Sequence, residues 1–109
     1  MIDVSAAAHQ LRLDEPLENE EALHLRRLID AAIQRASDWL DRPLYQAGEM
    51  PSPPPLRALE MNPSIESAIL ILVARAYDQR HGSDDETDLG LPREVHSLLS
   101  PYRWFGTAL

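Results

Sequence analysis

The segment from Asn62 to about Arg80 or His81 constrains the fold most, because its pattern predicts a helix with apolar residues around most of its circumference. Asn62 is a favourable N-cap, Pro63 is favoured at the first helical position, and Gly82 favours the helix end. We expect one face of this helix to lie in the core. Its apolar residues recur at three- and four-residue steps: Ile65, Ala68, Ile69, Leu72, Val73, Ala76 and Tyr77.

The other side of this helix is apolar as well, at Leu70, Ile71 and Ala74. A helix of this kind must be covered nearly all round, and a 109-residue chain with about four helices covers only part of it. We therefore predict a subunit interface at these residues, together with Arg75 and Arg80; complete enclosure by the same chain is the alternative. Arg75 needs a carboxylate partner or a path to the helix edge, and an intrachain or a cross-subunit salt bridge would each supply one.

Two helices are predicted before this segment. Ser5 is a favourable N-cap for a short helix over Ala6 to Leu11, and Asn19 caps a longer helix that runs to about Asp41. The longer helix is amphipathic, with an apolar face of Leu25, Leu28, Ile29, Ala32, Ile33, Ala36, Trp39 and Leu40.

A proline-rich connector follows over residues 43–62, and its "PSPPP" run favours an extended polyproline conformation. The "LRALEM" sequence after that run predicts one short strand, for which we expect no partner in this chain. A loop of about twenty residues inside a small domain is often a binding element, and a solvated tether is the alternative.

A last helix is predicted to begin with Pro92 at its first position and Glu94 in its first turn. Val95, Leu98 and Leu99 form its inner face. Together these patterns predict an all-α fold. The chain is expected to be a single domain over 1–109, a small bundle of about four helices whose long connector between helices 2 and 3 can hold a short β-strand.

The C-terminal tail, residues 101–109, begins after Ser100-Pro101 and carries Tyr102, Arg103, Trp104 and Phe105. Aromatic residues and arginine are the residue types that most often dominate binding energy at interfaces. We expect this tail either to fold back onto its own helices or to dock on another molecule.

Composition excludes several classes of function. The net charge of −8 argues against nucleic-acid binding, because that affinity comes mainly from cations that displace counterions. The chain has no cysteine, which fits a reducing cytoplasm. The most apolar stretch, 65–77, would span about 20 Å as a helix, against about 30 Å for the hydrocarbon layer, so no membrane span is predicted.

No motif predicts catalysis, a cofactor or a metal. The sequence contains no G-x-S-x-G, no P-loop and no G-x-G-x-x-G. The four histidines His9, His24, His81 and His96 lack the spacing of zinc ligands. The acidic loop "GSDDETDLG" lacks the glycine and the final glutamate of a calcium-binding EF-hand loop. We therefore expect a protein that is not an enzyme.

The chain resembles the small head–tail connector, or adaptor, proteins of tailed phages. The resemblance covers most of the chain outside the connector and the acidic loop, and the "PSPPP" run departs from the family pattern. Four segments carry it in the family's order: "HQLRLD", "LIDAAIQRASDWLDRPL", "NPSIESAILILVARAYDQR" and "LPREVHSLLSPYR". The most specific positions are Ala68, Leu72, Tyr77, Arg80, Leu91, Pro92, Leu99, Pro101, Tyr102 and Arg103.

The resemblance implies a virion protein of the neck, at the head–tail junction, that assembles in the host cytoplasm. Copies would form a ring, about twelvefold, beneath the portal protein and extend the DNA channel. DNA would pass without sequence-specific binding, and the ring would be the docking platform for a neck or tail-completion protein. A phage or a gene transfer agent could carry it. The tail at 102–105 would then dock on the portal or on the next neck component.

The acidic surface leaves one alternative from another class, a helical regulatory or antitoxin-like module that binds a basic partner protein.

Overall fold

The computed structural model describes residues 2–14, 16–78 and 91–104. The predicted mostly helical fold is confirmed. Its elements in chain order are α1 (Val4–Gln10), α2 (Asn19–Leu40), β1 (Leu44–Tyr45), β2 (Leu59–Glu60), α3 (Pro63–Asp78), α4 (Arg93–Leu99) and a 3-10 turn over Ser100–Tyr102.

α3 is the central helix and packs against α1, α2 and α4. Most of the predicted inner face of α3 forms the middle of the core, where Ile65, Ala68, Ile69, Leu72 and Val73 are buried. The last turn of that face was predicted wrongly in part, because Ala76 is exposed and Tyr77 is half-buried. No polar or charged side chain is buried in the described part of the chain. Apolar burial therefore supplies the main driving force for folding in these residues.

The amphipathic pattern of α2 is also confirmed. Leu25, Ile29, Ala32, Ala36 and Leu40 are buried at three- and four-residue steps on one side of the helix. The other predicted inner residues, Leu28, Ile33 and Trp39, are half-buried at the edges of that face. α2 thus covers one side of α3 with a single stripe.

Three predicted helix starts are wrong by one or two residues. α1 begins at Val4 rather than after Ser5, because the Asp3 Oδ1 atom accepts a hydrogen bond from the Ala6 N–H at 2.9 Å and caps the helix first. Asn19 is already helical, and the N-cap is Glu18, without a side-chain hydrogen bond. In α4, Pro92 occupies the N-cap rather than the first helical position.

The start of α3 is as predicted. The Asn62 Oδ1 atom accepts a hydrogen bond from the Ile65 N–H at 3.0 Å, and Pro63 is the first helical residue. The predicted helix end near Arg80 and the acidic loop at 82–90 lie outside the described residues.

The connector is not a simple loop. We expected its short strand to lack a partner, and this was wrong: β2 pairs in parallel with β1, with Leu59 opposite Leu44. The Leu59 N–H donates to the Pro43 carbonyl and the Met61 N–H to the Tyr45 carbonyl, both at 2.8 Å. The sheet closes the two ends of the connector against each other, and the prolines at 51–55 lie exposed between them.

None of the described helices is both long enough and apolar enough to cross a lipid bilayer.

We predict that Asn62→Ala destabilises the fold by about 1 kcal/mol, because it removes the N-cap of the central helix. For a domain of this size the melting temperature should fall by about 4–8 °C, measured by circular dichroism. Ser64→Ala, an exposed change in the same turn, is the matched control and should leave the melting temperature almost unchanged. Equal melting temperatures for the two variants would contradict this role of Asn62.

Candidate functional site

Arg42 joins two distant stretches of the chain to the end of α2. Its Nε atom donates to the Arg57 carbonyl at 2.9 Å, and its Nη2 atom donates to the Ala58 carbonyl at 3.4 Å. Its Nη1 atom donates to the Tyr102 carbonyl at 3.1 Å. The planar guanidinium fork is suited to this task, because its donors point at several acceptors at once. One side chain therefore holds the connector and the C-terminal tail in place.

The C-terminal tail folds back onto α2 as far as Trp104. The Trp104 N–H donates to the Leu40 carbonyl at 2.9 Å, which satisfies one of the free carbonyls at the helix end. The Arg103 guanidinium lies over the Trp39 ring, with its Cζ atom 4.2 Å from the ring centroid. This cation–π contact is of a kind that stabilises by about 0.5–1 kcal/mol at partly exposed sites.

Arg57 links the connector to the same end of α2. Its Nη1 atom lies 3.4 Å from the Asp41 Oδ2 atom, and its Cζ atom lies 5.3 Å from the centroid of the Trp104 ring. Asp41 and Arg57 both have left-handed backbone conformations, with φ of +56° and +63°. Such a φ is uncommon for residues other than glycine, so the surrounding contacts must hold these two turns in place.

α4 completes the group through His96. The His96 ring packs edge-on against Trp39, with centroids 5.0 Å apart. The Ser100 Oγ atom lies 3.2 Å from His96 Nδ1 and donates to the His96 carbonyl at 2.6 Å, as a capping hydroxyl does. We name the whole group the arginine–aromatic cluster: Trp39, Arg42, Arg57, His96, Arg103 and Trp104.

Exposed apolar side chains are concentrated at this cluster. Among the described residues, three large hydrophobic side chains are exposed: Leu56 at 83%, Leu23 at 59% and Trp104 at 38%. Two of these, Leu56 and Trp104, adjoin Arg57, the first by sequence and the second through the cation–π contact. Trp and Arg are enriched in protein-binding hot spots, and an exposed apolar patch often marks a binding surface.

The interface predicted on α3 is neither fully covered nor open. Leu70, Ile71, Ala74 and Arg75 are all half-buried, so part of each side chain is in contact with the same chain. The Arg75 guanidinium makes no hydrogen bond or ion pair with a described residue, which leaves its predicted salt bridge untested. Arg80 lies outside the described residues. The subunit interface on α3 stays a prediction.

The predicted docking residues share one end of the molecule with residues that sequence reasoning missed. Tyr102 and Arg103 are half-buried and Trp104 is exposed, whereas Phe105 lies outside the described residues. The missed residues are Arg42 and Arg57, which were assigned only to a helix end and to the connector. Arg42 precedes Pro43 and Arg57 follows the proline run at a distance of two residues, and an arginine near a proline turn was the available signal.

The described ranges contain no group of three or more His, Asp or Glu side chains placed to hold a metal ion. The arginine–aromatic cluster combines an exposed apolar side chain, Trp104, with the guanidinium groups of Arg57 and Arg103.

Comparison of the chain with protein-family models, with curated proteins and with solved structures found no match.

We predict that Arg42→Ala lowers the free energy of unfolding by at least about 2 kcal/mol, because three hydrogen bonds to a charged group are lost from two segments. Arg42→Lys should lose nearly as much, since an ammonium group cannot reproduce the guanidinium fork. Urea unfolding measures both values.

Arg26→Ala is the matched control. Arg26 forms an exposed i,i+4 salt bridge with Asp30 at 3.8 Å, and its loss should change the free energy of unfolding by no more than about 0.5 kcal/mol. If Arg42→Ala cost as little as this control, the guanidinium would not be what holds the connector and tail.

Proposed function

We propose that this protein is a structural subunit of the neck of a tailed phage, or of a phage-derived particle such as a gene transfer agent. Copies form a ring, about twelvefold, beneath the portal, extend the DNA channel and provide the platform on which a neck or tail-completion protein docks. The protein has no catalytic part in this role.

The observation that carries the proposal is the exposure of Leu56 and Trp104 on a rigid framework. Hydrogen bonds from Arg42 and to the Leu40 carbonyl fix the backbone near these two residues, and the side chains are 83% and 38% exposed. A segment whose backbone is ordered before binding loses less conformational entropy when it docks. A protein whose task is attachment needs such a surface.

The order of the helices supports the same function. Three of the four segments that resemble head–tail connectors lie mainly on α2, on α3 and on α4 with its 3-10 turn, and the first, residues 9–14, begins with the last two residues of α1. The half-buried apolar residues Leu70, Ile71 and Ala74 supply additional surface for a neighbouring copy in the proposed ring.

The charge of the protein suits a channel. With a net charge of −8, a ring of these subunits offers few cations to DNA phosphates, so DNA slides through without being held. The arginine–aromatic cluster is locally cationic and apolar. An antitoxin-like module would bind a basic partner protein through its acidic surface. The exposed apolar side chain here lies beside arginines instead, and this favours the docking role over that alternative.

We predict that Trp104→Ala combined with Phe105→Ala blocks attachment to the portal or to the next neck component and leaves the helix content unchanged. The Trp104 main-chain hydrogen bond to Leu40 does not need the indole ring, so the tail should keep its path. The measurements are circular dichroism of the purified protein and its co-sedimentation with portal-bearing heads.

Leu23→Ala removes an equally apolar exposed side chain elsewhere on the surface and should attach normally. Complete, infectious or gene-transferring particles made with the Trp104/Phe105 variant would refute the docking role. A stable small complex with a toxin or an operator, in place of portal binding by the unaltered chain, would favour the antitoxin-like alternative.

A further inference from the structure

A groove lies at the N-terminal end of α2, away from the arginine–aromatic cluster. It is open to solvent, has a volume of about 330 Å³ and is bordered by carboxylates and apolar side chains, and none of its described lining residues is cationic. We name it the acidic groove. Its lining residues are Leu13, Asp14, Pro16, Leu17, Glu18 and Glu21.

A hydrogen bond between two helices holds one side of the groove in place. The Glu21 Oε1 atom accepts a hydrogen bond from the Tyr77 hydroxyl at 2.6 Å, which ties the start of α2 to the end of α3. Leu13 and Leu17 are half-buried against the core and leave an apolar surface in the groove. Asp14 and Glu18 are exposed at the rim. The site combines an apolar floor with negative charge.

The surface around Leu56 has the complementary properties. Leu56 is the most exposed large hydrophobic side chain in the described part of the chain. Its chain neighbour Arg57 belongs to the arginine–aromatic cluster, which carries the guanidinium groups of Arg42, Arg57 and Arg103 and adjoins the carboxylates of Asp38 and Asp41. The chain as a whole is strongly acidic. We name Leu56 with Arg57 the Leu56 tip.

The two surfaces cannot meet within one molecule. The Leu56 tip lies beside Asp41, at the C-terminal end of α2, and the acidic groove lies at the N-terminal end. α2 has 22 residues and is therefore about 33 Å long. A contact between tip and groove requires two copies of the chain.

We propose that the Leu56 tip of one copy docks in the acidic groove of the next copy, in a head-to-tail contact. This inference deepens the proposed function, because it assigns Leu56 to the contact between neighbouring subunits of the ring and leaves Trp104 for the portal or the next neck component. A contact between two different faces of identical subunits is heterologous, and it closes into a ring when the rotation between subunits allows. Opposite charge on the two faces fixes which face meets which.

The test uses two variants that each change one exposed side chain. Leu56→Glu places a negative charge on the tip, and Asp14→Arg places a positive charge in the groove. Each variant alone creates a like-charge contact with its own copies, which should weaken self-association at least about tenfold. Sedimentation velocity over a concentration series measures this.

An equimolar mixture of the two variants is the decisive sample. The altered tip of Leu56→Glu then meets the altered groove of Asp14→Arg, and the native tip of the second variant meets the native groove of the first. Self-association should return to the level of the unaltered protein. Ala31→Glu, which adds the same charge at an exposed residue in the middle of α2, away from both surfaces, is the control and should self-associate normally.

A second measurement locates the contact. The chain has no cysteine, so Leu56→Cys gives a single site for a nitroxide spin label. When the spin-labelled copy is mixed with ¹⁵N-enriched protein that carries no spin label, it should broaden the amide signals of Leu13, Asp14 and residues 17–21 of the ¹⁵N-enriched copy. Broadening elsewhere with none at these residues, or a mixture of the charge variants that fails to recover, would overturn the head-to-tail contact.

The two proposals fail in different ways. If the unaltered protein stays monomeric up to about 1 mM, its self-association is weaker than that of a weak specific contact. That result would overturn the head-to-tail contact but would not test attachment to the portal. Head-to-tail assembly without any binding to portal-bearing heads would keep this inference and remove the neck function.

Discussion

The hydrogen bonds of one arginine determine how the irregular half of this protein is arranged. Arg42 stands one residue beyond the C-cap of α2, and its three carbonyl acceptors belong to the connector and to the C-terminal tail. Neither segment has a helix or a long strand to hold it. Without this guanidinium, three carbonyl groups would need other donors, and Leu56 and Trp104 would lose their fixed position on the surface.

The helical half depends on a different and simpler principle. α3 is buried along one side by three other helices, and its spacing of apolar residues was enough to predict that side from Ile65 to Val73. The same spacing predicted the inner face of α2. Periodicity identifies such helices because a regular helix turns each residue to a fixed direction, so burial follows directly from position along the chain.

The sequence was less informative where the backbone is irregular. The pairing of Leu59 with Leu44 joins residues that are distant along the chain through only two residues on each side, too short for any alternation to be seen. The left-handed conformations of Asp41 and Arg57 have no residue signature, because glycine is the usual marker and is absent at both positions. The helix starts differ because several neighbouring residues can cap, and local geometry selects one of them.

The candidate site was predicted only in part for the same reason. The residue types of Tyr102, Arg103 and Trp104 were enough to predict them as docking residues. Arg42 and Arg57 were missed because they contact this tail through the Tyr102 carbonyl and the face of the Trp104 ring. A residue pattern does not show which backbone carbonyl or ring face an arginine will reach. The two surfaces proposed to meet between copies lie at opposite ends of α2, so their relation depends on the length of that helix, not on a motif.

The acceptors of Arg42 are all main-chain oxygens, and this has an evolutionary consequence. Any amino acid can supply a carbonyl, so these hydrogen bonds do not restrict the side chains at positions 57, 58 and 102 as long as the chain follows the same path. Homologous proteins could keep all three hydrogen bonds while sharing only the arginine at position 42. Divergence of this kind erases recognisable sequence identity much faster than it erases architecture.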